Sequence, residues 1–515
     1  MTPLTLSDTD PAELGVDAIV VGLHSTDGAE GQSVPLLAPG AESVAVAFEG
    51  RLAETLALLG ATGAVGEVTK LATLGMVSAP VVAAVGLGPV PENGGIAPET
   101  LRRAAASAIR ALAGAERVAV ALPAPDQADG GQDAPALRAI AEGALLGTYR
   151  FAGYKTKPAP GRRDPVKAVT LHVADAGDRT ARNEVKRAGI VVAAVSRARD
   201  WVNTAPNELR PPDFAARVAE AATGAGLEVE VLDEKALKKA GYGGILAVGM
   251  GSEAPPRLVT ISYAPKGATR SVALVGKGIT FDTGGYAVKP AQGMWEMKSD
   301  MSGAAAIASV MIALAALKPK VRVTAYLPMA ENMISGSSYR PGDVITMYGG
   351  KRVEVLNPDA EGRLILADAI VRAQEDHPDY LLEVSTLTGG QVIALGKRVA
   401  GVMGDERLCE RVRAAGDRVG EPAWPMPIPD EVRKGMDSDI ADISQINSGM
   451  DRAGHMLQGA AFLREFVADG LPWAHIDIAG PAYHSSEPTG YLVKGGTGVP
   501  VRLLVDLIED IDANG

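Results

Sequence analysis

The segment Asn357 to Leu364, NPDAEGRL, places Asp359, Glu361 and Arg363 between the strand-like RVEVL and the apolar ILADAIVRA. Charges where an apolar strand meets an apolar helix need a counter-charge or a ligand, because burying unpaired charge is costly. Upstream, SVALVGKGITFDTGGYAVKP supplies Lys277, Asp282, a glycine pair and Lys289. MKSDMSGAAAIASVMIALAAL then sets Asp300 just ahead of a helix that is apolar on every side. Such a helix is buried, so Asp300 belongs at the edge of the core. LLEVSTLTGG ends a further strand with hydroxyls and glycines. Ligands of open α/β sheets bind beyond the carboxyl ends of the strands.

Four carboxylates there (Asp282, Asp300, Asp359, Glu361) cannot all stay ionised unaided, since repulsion and desolvation raise their pKa values. Divalent cations relieve both. The set suits two cations about 3.5–4 Å apart, bridged by one or two of the acids, an arrangement used for hydrolytic displacement. Oxygen donors favour Mg or Mn more than a Cys/His site would, and Zn also accepts carboxylates. Any one of these aspartates alone would read as a helix cap or a surface turn. The competing reading of the set is a salt-bridge network with Lys277, Lys289 and Arg363. The glycines of DTGG and DAEG favour a ligand, because they let backbone and ligand approach closely. A phosphoester hydrolase is a further alternative, with Arg363 on the phosphate and DTGG as an anion nest. No other phosphate-cradling motif supports it: VGKG lacks the upstream glycine, and prolines follow VGMGSEA where a helix should open. The six histidines form neither H-E-x-x-H nor H-x-H, which excludes a zincin. His475 in WAHIDIAG reads as a satisfied core residue. Cys409 in ERLCERV reads as an exposed helix residue with no nucleophilic role, and DSDIAD (Asp437, Asp439, Asp442) as a solvated turn.

The elements that must position these residues read as α/β throughout. A chain of 515 residues is long for one core, so two domains are expected. Residues 1–178 alternate strand candidates (VDAIVVGL, SVAVAF, VVAAVGL, VAVAL, VKAVTLHV) with helices (PETLRRAAASAIRALAG, ALRAIAEGALLGTYRF), which predicts an α/β domain with a largely parallel sheet. The basic, proline-containing YKTKPAPGRRDP then precedes one long helix that serves as a connector. Residues 179–515 form the larger catalytic α/β domain, a central mixed sheet flanked by helices. Its strands are LEVEVL, RLVTISY, SVALVG, RVTAYLPM, RVEVL, YLLEVST and WAHIDIA.

Composition narrows the function. Fifty basic against 62 acidic residues give a formal charge of −12, a field that repels phosphate backbones and argues against nucleic-acid partners. KTKPAPGRRDPVK reads as a solvated linker. The single cysteine allows no intrachain disulfide. The longest apolar runs fall short of the ~18 residues of a membrane span. The N-terminal stretch has neither a basic nor an apolar signal region, so a cytoplasmic location without membrane association is expected.

VGKGITFDTGG…KP…MKSDMSGAA together with NPDAEGRL resembles the leucyl aminopeptidases, the cytosol aminopeptidases of peptidase family M17. EVSTLTGG and HIDIAGPA extend the resemblance, which runs from about residue 180 to the C-terminus. It implies a two-metal exopeptidase that cuts the first residue from peptides and aminoacyl amides, with a water between the metals as attacking group. Asp282 and Glu361 would bridge the metals (Mn or Zn, or Mg). Asp359 would complete one site, and Lys277, as a neutral amine, would complete the other with Asp300. Lys289 would polarise the scissile carbonyl, and Arg363 would hold a bicarbonate as general base. Met297, Thr386, Leu387 and Gly389 would form the pocket for an apolar first residue such as Leu. The family also implies a homohexamer whose sites face an interior cavity, with the N-terminal domain serving assembly and substrate access. Pro358 departs from the family pattern, which has Thr there. Proline stiffens the entry to the turn without removing a ligand.

Overall fold

The computed structural model describes residues 2–26, 35–92, 95–124, 134–157, 161–450 and 453–515. Residues 158–160 of the basic stretch lie outside the described residues. The chain divides into two compact units, Met1–Ala193 with Ser486–Val493, and Ala194–Ser485 with Lys494–Gly515. The division falls inside the helix Arg179–Asn203. The returning segment Ser486–Val493 is tied to the first unit by Tyr491, whose hydroxyl donates to Glu99 at 2.8 Å.

The first unit holds strands β1 (Leu4–Ser7), β2 (Ala18–Ser25), β3 (Leu36–Leu37), β4 (Val68–Ala72), β5 (Val81–Pro89), β6 (Arg117–Ala121) and β7 (Ala168–His172). Their order is β1-β7-β6-β2-β5-β4, with β3 on β2. All pairings are parallel except those of β3 and β4. Along β2, Ala18 and Val20 pack with the helices Pro98–Ala111 and Ala134–Gly147, while Ile19, Val21 and Leu23 face the opposite core. Side chains alternate across a strand, so one apolar run feeds two layers. SVAVAF, expected as a strand, is instead the helix Glu42–Ala47, followed by a second helix, Leu52–Leu58. Val44, Phe48, Leu52 and Leu56 are the buried positions. They recur every four residues, and that helical spacing overrides the β-propensity of the two valines.

The second unit is built on a mixed sheet with β8 (Glu228–Leu232), β9 (Arg257–Tyr263), β10 (Arg270–Gly276), β11 (Gly278–Asp282) and β12 (Val321–Asn332). Strands β13 (Val344–Thr346), β14 (Arg352–Glu354) and β18 (Ile443–Ser444) form a separate small sheet. The main sheet is completed by β15 (Tyr380–Ser385), β16 (Ala400–Gly404), β17 (Ala423–Pro425) and β19 (Trp473–Asp477), in the order β17-β16-β19-β15-β10-β12-β9-β8, with β11 on β12. Strands β12, β10, β15 and β19 run parallel, so their carboxyl ends open on one edge. The helices Ser302–Leu317 and Gly362–Gln374 pack against β10, β12 and β15.

The 3-10 turn Met294–Met301 runs directly into the helix Ser302–Leu317. Together they make one 24-residue helical segment with an 18-residue window of mean hydropathy 1.8, long and apolar enough by those two measures to cross a membrane, although its uninterrupted apolar run is shorter than a span. Its most apolar window is 78% buried within the protein, so packing against the sheet accounts for the composition.

Candidate active site

The expected site residues cluster where strands end and helices begin, with Lys289 in the loop between β11 and the 3-10 turn Met294–Met301. Lys277 occupies the break between β10 and β11. Its N–H donates to the Val384 carbonyl at 3.0 Å and its carbonyl accepts from Ala304 N–H at 2.9 Å. Asp282 closes β11, Asp300 lies in the 3-10 turn, and Thr386 to Thr388 follow β15. Asp359 and Glu361 occupy the turn between β14 and the helix Gly362–Gln374, and Arg363 is in its first turn.

Asp282, Asp359 and Glu361 each offer an oxygen within 4.8 Å of the other two. Asp300 joins them through Lys277, whose Nζ lies 2.7 Å from Asp300 Oδ2 and 2.8 Å from Glu361 Oε1. Lys289 Nζ closes the other side, 2.8 Å from Asp282 Oδ2 and 2.5 Å from Asp359 Oδ1. The second oxygen of Asp282 accepts from Gly284 N–H and from Asn332 Nδ2, both at 2.8 Å. Thr386 donates its hydroxyl to Asp300 Oδ1 at 2.7 Å. Arg363 stands apart from the acids. Its Nη1 donates to the Gln445 carbonyl at 2.6 Å, its guanidinium lies 6.0 Å from the centre of the Phe462 ring, and its buried Nε has no hydrogen-bond partner among the described residues.

Burial sets the electrostatics. It pushes Asp300 up to about 8 against the pull of Lys277, and it raises Asp359 and Glu361, with Asp282 adding repulsion to both. Burial alone would lower Lys277 and Lys289. Asp300 and Glu361 reverse that for Lys277, Asp282 and Glu361 for Lys289, so both pKa values are raised. The protein by itself therefore holds Lys277 as an ammonium, and only added positive charge could make it a neutral amine. Were all four carboxylates ionised against the two ammonium groups, the cluster would be two charges negative, and the raised Asp300, Asp359 and Glu361 show that the protein alone does not favour that state. Glu361 Oε2 is buried without a hydrogen-bond partner among the described residues, and a buried acceptor left unmatched asks for a cation. The residues present fit divalent ions. The salt-bridge alternative accounts for the lysines, but it leaves that oxygen orphaned and Arg363 outside the network.

Two glycines show how closely the site is packed. A Cβ on Gly362 would stand 2.3 Å from Lys277 Cε and 2.7 Å from its Nζ. Gly284, at φ +85°, would bring a Cβ to 2.9 Å from Asp359 Oδ1. Gly362→Ala should displace Lys277 and lower kcat/KM by about 10²-fold, the cost of an ångström-scale misplacement. Steady-state kinetics measure this. The N–H groups of DTGG are not free to cradle an anion, because Gly284 donates to Asp282 and Gly285 to Thr283 Oγ1 at 3.1 Å. Pro358 keeps its carbonyl as an acceptor for Tyr339 hydroxyl at 2.7 Å and Asn332 Nδ2 at 3.1 Å.

Of the expected pocket residues, Met297, Thr386 and Leu387 are half-buried and Gly389 is exposed, at the start of the helix Gly389–Leu395. Asp477 fixes this segment, accepting from Leu387 N–H at 3.1 Å and from Thr388 hydroxyl at 2.7 Å. His475 is a core residue, but only half satisfied: its Nδ1 pairs with Glu383 on β15 and its Nε2 has no partner. Burial would lower its pKa, and Glu383 raises it. Cys409 is buried rather than exposed, and burial pushes its thiol up to about 12, which leaves no reactive thiolate. Sequence reading missed Asn332, Tyr339, Gln445 and Asp477. Asn332 and Asp477, each the last residue of its strand, had a positional signal.

A two-unit α/β chain that gathers four carboxylates and two lysines around the carboxyl edge of its larger sheet, from strand ends, a 3-10 turn and the strand-to-helix turn after β14, is a metallohydrolase. Residues 196–505 match the catalytic domain of the cytosol aminopeptidase family and residues 20–158 its N-terminal domain. The chain is 50% identical to the probable cytosol aminopeptidase of Streptomyces griseus over 99% of its length and 98% of the relative's. It is 49% identical to that of Rhodococcus jostii, over 97% and 96%. A solved structure described as the bottromycin maturation enzyme BotP in complex with Mn superposes with a TM-score of 0.82 at 35% identity, covering 96% of this chain and all of that one. The chain belongs to the cytosol aminopeptidase family, and it is a metal-dependent enzyme that removes N-terminal residues from peptides.

Proposed function

We propose that this aminopeptidase removes apolar first residues, Leu among them, with two divalent cations held by Asp282, Asp300, Asp359, Glu361 and Lys277. The carrying observation is the trio Asp282, Asp359 and Glu361 within 4.8 Å, extended to Asp300 by Lys277. Asp282 and Glu361 are the bridging ligands in this reading, Asp359 serves one ion, and Lys277 with Asp300 the other. Mn or Zn is preferred over Mg, and the Mn complex of BotP supports Mn. Bound cations would supply Lewis acidity and a nucleophile at neutral pH, and bicarbonate a proton acceptor.

The chain's own residues do the rest. Lys289 keeps its proton, and its side chain is 23% exposed against 3% for Lys277. It is the ammonium able to turn from the acids to a scissile carbonyl and stabilise the developing oxyanion. Arg363 offers its unpartnered Nε as the start of an anion site for bicarbonate. Its charge persists, although burial lowers it to about 10. Met297, Thr386, Leu387 and Gly389 receive the first side chain, with Met and Leu favouring an apolar one. The family resemblance supports a homohexamer with sites facing an interior cavity, and the relatives' name, cytosol aminopeptidase, supports a cytoplasmic location.

Treatment with a strong chelator should abolish leucyl anilide cleavage, and Mn or Zn add-back should restore it. Activity indifferent to the chelator would sink this reading. No hydrolysis of a nitrophenyl phosphate is expected alongside.

A further inference from the structure

We infer that Gln445 is a positioning residue for the reaction: its side chain fixes the turn carrying Asp359 and Glu361 while its main chain fixes Arg363. This rests on the aminopeptidase reading above. Gln445 is fully buried. It follows β18, and its N–H donates to the Glu354 carbonyl of β14 at 3.0 Å. Its Oε1 accepts from Leu356 N–H and Asn357 N–H, both at 2.8 Å, and its Nε2 donates to the Ala360 carbonyl at 3.1 Å. Its own carbonyl accepts Arg363 Nη1 at 2.6 Å.

Apart from Gln445, the turn is held from outside at its middle, where the Pro358 carbonyl accepts from Tyr339 hydroxyl and Asn332 Nδ2. Pro358 has no N–H, and the bonds inside the turn all close on Asn357: Asp359 N–H to Asn357 Oδ1 at 2.9 Å, and Ala360 N–H to the Asn357 carbonyl at 3.0 Å. Gln445 grips both ends from outside. A primary amide is suited to this, since one oxygen accepts two N–H groups while the nitrogen donates to a carbonyl. A carboxylate lacks the donor, lysine and arginine lack the acceptor, and asparagine is one methylene short. Because Arg363 hangs on the same residue, a shift of Gln445 moves carboxylates and guanidinium together. Groups that orient ligating side chains matter nearly as much as the ligands.

The test uses the full chain and two variants. Gln445→Met removes the side-chain bonds at similar volume. Gln374→Met removes a matched set at the far end of the helix from Arg363, where Gln374 donates to Ile370 and Phe466 carbonyls and accepts from Ala468 N–H. Mn affinity is titrated on chelator-stripped protein, kcat and KM are measured on a leucyl anilide at saturating Mn, and thermal unfolding is followed. Gln445→Met should weaken Mn binding about 10–100-fold and lower kcat more than it changes KM. Gln374→Met should unfold earlier yet keep wild-type Mn affinity and kcat. Wild-type Mn affinity and kcat in Gln445→Met, or a parallel loss in Gln374→Met, would overturn the assignment. If Gln445→Met does not fold, Gln445→Asn, which retracts the amide, is measured against the same outcomes. An inactive wild-type protein would sink the aminopeptidase reading instead, and the Mn titration would still decide the role of Gln445.

Discussion

Glu361→Ala is expected to lose bound metal and peptidase activity together. Glu361 is buried, one oxygen lies 2.8 Å from Lys277 Nζ, and the other has no hydrogen-bond partner among the described residues. Removing it takes away the acid that links the Asp300–Lys277 side of the cluster to Asp282 and Asp359. It also removes one negative charge from the group that would hold two dications. Losing a catalytic cation forfeits several kcal/mol of transition-state stabilisation, about 10³-fold or more in rate. Glu361→Gln keeps the volume and should behave alike, which separates loss of charge from a cavity. Metal content measured beside kcat decides the matter. A variant that retains full metal, or full activity, would show that Glu361 is not a ligand.

Lys289→Ala should do the opposite, leaving the metals bound while kcat falls about 10²–10³-fold, the usual loss for one oxyanion donor. Lys289 touches Asp282 and Asp359 but offers them only an ammonium, which cations would replace. Its removal should leave cation affinity equal or tighter, because a competing positive charge is gone. Arg363→Ala should cost less, since high bicarbonate can partly refill a site without its clamp. Parallel measurements of metal content, kcat and bicarbonate dependence separate these roles. Metal loss in Lys289→Ala, or full bicarbonate-free activity in Arg363→Ala, would reverse the assignments.

The sequence by itself determined the chemistry of the cluster and the elements that carry it. Lys277, Asp282, Asp300, Asp359 and Glu361 each stand within four residues of a strong apolar run, and such runs become buried strands and helices wherever they pack. The two-unit α/β plan follows from the same alternation, because parallel strands buried on both faces read as continuous apolar stretches. SVAVAF failed for the complementary reason. A six-residue apolar run carries no period of its own, and only the core contacts of Val44 and Phe48 chose the helix. Tertiary structure alone decided what surrounds the cluster. Gln445 follows a two-residue strand and leads into polar loop, with no pattern to mark it, and it reaches Leu356 beside a β14–β18 pairing that spans about ninety residues. His475 looks like an ordinary strand residue until β19 aligns beside β15 and sets it opposite Glu383. Those partners are fixed by sheet register, a long-range property, and local composition does not encode it.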